Sequence, residues 1–265
     1  MQINEFKLRS LNGYNISART YLPTESIKEV IIAIHGFGGD KDSSAIRLLA
    51  ENMVRKNFLV ICFDFPSHGD SEVEADKLTI NNCINDIEAI EQYTKDNFGK
   101  NIKINIFATS FGAYIALLKL FKYNTKYNKI VLRAPAIKMD EILKNTLLRE
   151  PFEIFKRKRV TKLGFRRIMD VPYDFYEELK ANKILKIYQN NQKIFIIQGM
   201  KSKENALMKI DIITLHYIRN YGSVLQTYAT QAKFESMGYE AEIVDYVRPN
   251  AEDNAMIEEG FEKKK

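Results

Sequence analysis

Apolar and polar residues recur with two different periods along this chain, and the change of period divides it. Residues 4–9 and 14–21 alternate one by one and flank Asn12-Gly13. Alternation about an Asn-Gly pair predicts a β-hairpin, because that dipeptide accepts the positive φ angles of a tight turn. From Glu29 onward unbroken apolar runs take over, at 30–35, 58–64, 102–108, 129–135 and 193–199. Amphipathic stretches at 43–56, 79–97 and 111–123 separate them. The first carries Ile46, Leu49, Ala50 and Met53 on one face, and the second Ile80, Cys83, Ile84, Ile87 and Ile90. Strands apolar on both faces and separated by helices predict the α/β class, with a mostly parallel sheet covered on two sides. Residues 136–192 show helical patterning and no convincing strand. They predict a helical lid over the carboxyl ends of the strands, where such sheets bind their ligands.

Composition narrows the setting. A chain of 265 residues, 45% of them hydrophobic, can bury a full core. No apolar run approaches the roughly 18–20 residues needed to cross a bilayer, and the start, MQINEFKLRS, lacks the apolar core of a secretory signal. Cys62 and Cys83 fall in a predicted strand and helix without metal-ligand spacing, so they read as buried thiols of a reducing compartment. The expectation is a soluble, cytoplasmic protein that needs no metal and no other cofactor.

Charge adds one feature. The net charge is +6, and residues 138–193 hold 14 Lys and Arg against 8 Asp and Glu, while the rest of the chain is balanced at 26 of each sign. Lys-Arg-Lys-Arg at 156–159, with Lys162, Arg166 and Arg167, forms a cluster. Such a cluster attracts anionic substrates or polyanions when it faces a site; as a solvated face of a helical insertion it does neither, and charge runs usually mark such faces. No aromatic residues interleave it, so nucleic acid is not an expected partner.

The chemistry centres on NIFATSFGAYIALL, residues 105–118. A strand leads into Ala108-Thr109-Ser110-Phe111-Gly112 and a helix leaves it. A strand-to-helix turn this sharp is a nucleophile elbow, which lifts Ser110 above the sheet and requires small residues two before and two after it. The alternative is an ordinary turn whose serine merely caps the helix. Two further stretches sit at strand ends. IHGFGGD (34–40) offers backbone N–H groups, that of Phe37 first, which can converge with the N–H of Phe111 into an oxyanion hole. DFPSHGDSE (64–72) places Asp64, Pro66, His68, Gly69 and Ser71 in a tight loop beside it.

His35-Gly36 through Gly39, Asp64 through Ser71 and Ala108 through Gly112, in that order, resemble the α/β-hydrolase superfamily over about residues 1–199. The likeness is nearest to its lidded serine hydrolases, the monoacylglycerol-lipase-like and aminopeptidase-like members. The resemblance implies a serine acyl hydrolase acting on a small acyl or ester substrate, anionic if the basic segment faces the site. Ser110 matches the nucleophile, while His35 and His68 fall where the family uses histidine structurally. The family's acid follows the seventh strand, here ending at Gly199. Ser202 stands at that place and Glu204 is the nearest carboxylate; members with the acid after the preceding strand make Asp140 a candidate. For both carboxylates a solvated surface position is the competing reading. The base must follow Ser110 in chain order, which leaves His216 after the strand-like run 209–215. Only nine residues separate Gly199 from Lys209. Since a parallel neighbour needs a crossover of about a dozen residues or more, an antiparallel return is expected, with His216 at the wrong edge.

The end of the chain reads differently. Residues 209–215, 222–236 and 239–246 pattern as strand, helix and strand. Met208 through Thr214, Asn220-Tyr221-Gly222, Leu225-Gln226, Tyr228-Ala229 and Ile243 through Tyr246 resemble the amino terminus of the polysaccharide pyruvyl transferase family. Members of that family move a pyruvyl group from phosphoenolpyruvate to a sugar within a much longer fold. The expectation is a junction: a hydrolase-like domain at 1–207, interrupted before its acid and histidine, joined to a transferase-like βαβ fragment at 208–265. Three functions follow as alternatives: an impaired or intact serine hydrolase, a hydrolase-fold protein that only binds, and a fragment of a transferase.

Overall fold

The Asn12-Gly13 turn closes the expected hairpin, with Gly13 at φ +83. Strand β1 (Gln2–Arg9) pairs antiparallel with β2 (Asn15–Leu22), Gln2 opposite Leu22 and Arg9 opposite Asn15. The computed structural model describes residues 1–187, 192–197, 210–213 and 241–244. They belong to two compact units, Met1–Asn190 and Asn191–Lys265.

In the first unit β3 (Glu29–Ile34), β4 (Phe58–Phe63), β5 (Ile104–Thr109) and β6 (Lys129–Arg133) run parallel. Their order is β1-β2-β4-β3-β5-β6, with β2 joining β4 antiparallel. β3 is buried at every position, which is why its sequence after Glu29 is apolar without alternation. Helices α1 (Ser44–Val54), α2 (Ile80–Phe98) and α3 (Phe111–Lys122) follow β3, β4 and β5. Ile46, Ala50 and Val54 of α1 pack on Ile31, Ala33, Val60, Cys62 and Phe107 of the sheet. Both cysteines are buried and free. Among the described residues no helix is long and apolar enough to cross a membrane.

One core contact titrates. Asp86 of α2 is fully buried and accepts a hydrogen bond from the Tyr14 hydroxyl at 2.8 Å, which ties the hairpin turn to the helix. Burial pushes its carboxyl from 3.8 up to about 8, against the opposing effect of Tyr14. A folded-state value raised above the unfolded one means the stabilisation is complete below about pH 4 and is lost as pH rises through about 8. The thermal midpoint of the wild type is therefore expected to fall steadily across that window. Asp86→Asn keeps an acceptor for Tyr14 and is expected to flatten the profile and raise the midpoint by several degrees at pH 8. A wild-type midpoint constant between pH 5 and 8 would remove Asp86 as its cause.

The lid segment differs from its expectation. It contains short helices α4 (Met139–Ile142), α5 (Phe152–Lys158), α6 (Tyr173–Ala181) and α7 (Ile184–Ile187), with a π-turn at Leu143–Leu147. It also contains a β-hairpin, where β7 (Val160–Leu163) and β8 (Met169–Pro172) pair antiparallel. Four residues per strand give two periods at most, and charged Lys162 and Asp170 face each other on the exposed side. So short an alternation inside a charge cluster carries no readable strand signal.

In the second unit β9 (Ile194–Ile197), β10 (Ile210–Ile213) and β11 (Ala241–Val244) lie side by side in that order, all parallel. This corrects the antiparallel return expected for the strand at 209–215. The paired strands stop at Ile197 and resume at Ile210, so the connection is residues 198–209, twelve in all. That meets the length a parallel crossover needs, about a dozen residues. The expected helix at 222–236 lies outside the described residues.

Candidate active site

β5 delivers the chain into the Ser110 turn and α3 leaves it. Ser110 takes φ +50 and ψ −113, a conformation that a residue with a side chain holds only when its surroundings enforce it. The surroundings are visible. Ser110 N–H donates to Arg133 O at 3.0 Å, and Ser110 O accepts from Tyr114 and Ala136 N–H at 3.1 Å each. No side-chain cap bond joins Ser110 to α3, so its hydroxyl is not spent on the helix. The small residues of the motif are explained by contact. A Cβ at Gly112 would stand 2.3 Å from His35 O and 2.8 Å from Ile34 Cγ2. One at Gly36 would stand 3.2 Å from Ser110 Cβ, and Ala108 is fully buried.

The loops after β3 and β4 are built against this elbow. Gly39 N–H donates to Gly36 O at 3.0 Å, closing the turn that carries Phe37. The N–H groups of Phe37 and Phe111 take no acceptor among the described residues; Phe111 opens α3, where helix geometry supplies none. The Phe37 ring lies edge-on to Phe111 and to His68, at centroid separations of 5.7 and 5.4 Å. His35 is buried, with Nδ1 2.8 Å from Gly36 O and Nε2 accepting from Phe65 N–H at 3.1 Å. This one ring thereby joins the two loops. Burial lowers its pKa to about 4. His68 is buried as well, its Nδ1 2.9 Å from Pro66 O and its Nε2 without a partner. Burial and then His35 lower it to about 3. Both imidazoles are neutral at ordinary pH and occupied in holding the loops.

Asp64 organises the second loop. Its carboxylate accepts from Lys41 N–H at 2.7 Å, Lys41 Nζ at 2.9 Å and Asp70 N–H at 3.0 Å. Gly69, at φ +47, runs so close that a Cβ there would fall 2.4 Å from Asp64 Oδ1. Lys41 is buried and also pairs with Asp70. Burial alone would lower the ammonium, but Asp70 and Asp64 outweigh it and hold the group charged above its ordinary range. Nothing in the sequence distinguished Lys41 from a surface lysine; only the fold brings it under Asp64.

The tip of the lid hairpin reaches the same loops. Arg166 Nη1 lies 3.0 Å from Asp40 Oδ2. Arg167 donates to Ser71 O at 2.6 Å and pairs with Glu74 at 3.2 Å. The Phe165 ring sits 2.6 Å from where a Cβ of Gly38 would be. Ser110, Thr109, the Gly36–Asp40 turn, Phe165 and Arg166 together line a cleft of about 470 Å³. The basic cluster thus divides: Lys156 through Arg159 are exposed, whereas Arg166 and Arg167 are structural ties.

Asp140 makes no hydrogen bond or ion pair with Ser110 among the described residues. Asp140, expected as a solvated carboxylate if not the acid, is instead buried and paired with Lys183 at 3.2 Å. α4 turns it inward, whereas a surface position was the simpler reading of an isolated acidic residue. Glu204 and His216 lie outside the described residues. No cluster of metal-ligating side chains occurs among the described residues.

A mostly parallel sheet whose fifth strand ends in a strained serine elbow, beneath glycine-rich strand-end loops and a lid, defines an α/β hydrolase. The family model for serine aminopeptidase, S33, matches residues 25–203, more than half the chain, and the protein belongs to that family. Solved structures agree on the fold. Est1E from Butyrivibrio proteoclasticus with ferulic acid bound is similar over 87% of this chain and 99% of its own, with a TM-score of 0.65 at 14% identity. A putative hydrolase from Agrobacterium vitis S4 is similar over 99% of this chain and 98% of its own, with a TM-score of 0.62 at 16% identity. An esterase from Pyrococcus furiosus is similar over 99% and 88%, with a TM-score of 0.54 at 16% identity. No curated protein matches the chain.

Proposed function

We propose that this protein is a serine acyl hydrolase acting on small esters, with Ser110 as the nucleophile. The carrying observation is the elbow itself: Ser110 at φ +50, its hydroxyl uncommitted to the helix, on a cleft of about 470 Å³. A cleft of that size suits a small-molecule ligand. In this reading Ser110 Oγ adds to the acyl carbonyl while a base takes its proton. The N–H groups of Phe37 and Phe111 hold the developing oxyanion, each such donor being worth roughly 3–4 kcal/mol. The alcohol leaves with the proton, and water then releases the acid from the acyl-enzyme. Several structural neighbours are described as esterases or a lipase, and the one that holds ferulic acid supports an acyl ester as the substrate class.

His216 is the base to test. β10 runs parallel to β9, so the residues following both strands leave at the same end, as a base paired with an acid after β9 requires. Asp140 is committed to Lys183, which leaves Glu204 as the acid of this proposal. His216→Ala is expected to lower ester turnover at least ~10³-fold, with the thermal midpoint unchanged. Unaltered turnover would take His216 out of the mechanism.

A serine-directed fluorophosphonate tests the nucleophile. One covalent adduct on the Ser110 peptide is expected by mass spectrometry. A protein that stays unlabelled beside a reactive control hydrolase would favour the second reading, a hydrolase-fold protein that binds ligand without turnover. That reading draws on the two buried, neutral histidines, His35 and His68, whose Nδ1 atoms face the loop carbonyls of Gly36 and Pro66. The transferase-like reading of 208–249, and with it the fusion, rests on sequence resemblance alone; the reading frame around codons 200–208 tests it.

A further inference from the structure

Of the two proposed oxyanion donors, Phe111 has the better fixed backbone. It opens α3 directly after Ser110, whose carbonyl accepts from Tyr114 and Ala136 N–H. Phe37 stands instead between Gly36 and Gly38, and Gly38 takes φ +71. Glycines restrict a backbone little, so the direction of the N–H between them depends on where the Phe37 ring is held. His68 and Phe111, from the loops around Ser110, meet that ring edge-on. Phe175 reaches it from α6. The Phe175 ring lies nearly parallel to Phe37, at a centroid separation of 6.2 Å and an angle of 17°, and edge-on to Phe111 at 5.9 Å. Aromatic pairs at such separations attract beyond their shared burial. Phe175 is only 1% exposed and does not line the Ser110 cleft. α6 gives it a fixed base: Glu178 accepts from Ile80 N–H, and Asn182 O accepts from the Tyr114 hydroxyl, both at 2.8 Å.

We infer that Phe175 is a positioning residue of the oxyanion hole: its ring braces the Phe37 ring and thereby sets the direction of the Phe37 N–H. The inference rests on the serine-hydrolase reading proposed above. Phe175 touches no substrate. Its effect belongs to the step in which negative charge gathers on the acyl oxygen, where a preorganised donor counts most. It therefore acts on kcat and leaves KM alone. Leucine at this position would fill most of the space but offer no ring face, so the Phe37 turn would be free to shift. A displacement on the order of 1 Å is enough to cost ~10²-fold in rate.

The test is kinetic and uses the full chain with p-nitrophenyl esters. Phe175→Leu is expected to lower kcat about 10- to 100-fold, with KM within about twofold of wild type. Phe37→Leu removes the braced ring, keeps the backbone N–H and is expected to lower kcat by a similar factor. The double variant is expected to lose no more than about twofold beyond Phe37→Leu alone, because the brace then has nothing to hold. A merely structural Phe175 would lower the melting temperature, and any effect on kcat would multiply with that of Phe37→Leu. Multiplying losses, a change confined to KM, or wild-type kcat in either single variant overturns the inference. Circular dichroism melts show that each variant is folded at the assay temperature. Phe175→Met, whose unbranched chain adapts to irregular space, replaces Phe175→Leu if that variant does not fold, with the same expected loss. A wild type that neither hydrolyses the esters nor takes a fluorophosphonate on Ser110 removes the hydrolase reading and this inference with it. An active, labelled wild type beside an unaltered Phe175→Leu removes this inference alone.

Discussion

Ser110→Ala is expected to lose ester turnover by at least ~10³-fold while melting at the wild-type temperature. The two halves of that expectation come from one geometry. Ser110 holds φ +50 and ψ −113 through its backbone bonds to Arg133, Tyr114 and Ala136, none of which needs the hydroxyl. Its Oγ makes no helix cap, so deleting it removes no stabilising bond. Turnover of p-nitrophenyl esters and a calorimetric melt on the same preparation check both halves. The loss should fall on kcat, with KM little changed, because the hydroxyl acts in bond formation and the cleft walls remain. A variant with wild-type kcat would transfer the chemistry away from the elbow. A variant that melts far lower would instead mean the hydroxyl is part of the fold.

Gly112→Ala is expected to destabilise the first unit by about 3 kcal/mol or more, a fall of roughly 10 °C in its midpoint. A methyl group there would stand 2.3 Å from His35 O and 3.0 Å from Ile34 O, both backbone atoms at the end of a fully buried central strand. A flexible side chain could turn aside; a strand carbonyl cannot without disturbing its ladder. The shift would also move the Phe37 turn that follows His35, so fluorophosphonate labelling is expected to slow along with the loss of stability. A midpoint within a degree or two of wild type would show that the strand and helix have more slack than these distances allow.

The expected elements of the first unit were legible where they are long and one-sided in character. Strands β3 to β6 and helices α1 to α3 lie within about two residues of their expected bounds. Burial on both faces leaves a run of apolar residues, and burial of one helix face leaves a stripe; both are local imprints of the packing. The Ser110 turn was legible for a similar reason, since the backbone contact at Gly112 tolerates no side chain and the packing at Gly36 leaves little room for one. The lid hairpin was hidden because four-residue strands in a charged stretch leave no period. The direction of β10 was hidden because it turns on where strands stop pairing, a property of the sheet and not of either run alone.

The amino-acid sequence by itself determined the class of the fold, the place of the sharp Ser110 turn and the loops that flank it. Each depends on contacts within a few residues or on one buried face, so each leaves a local trace. The tertiary structure decided the partnerships. Lys41 lies under Asp64, and Arg166 reaches Asp40 across 126 positions of chain. Asp140 is turned inward onto Lys183, and His35 bridges two loops to Phe65. A charged or polar side chain reads alike whether it faces water or a partner, because its own chemistry does not record which groups the fold will bring within 3 Å.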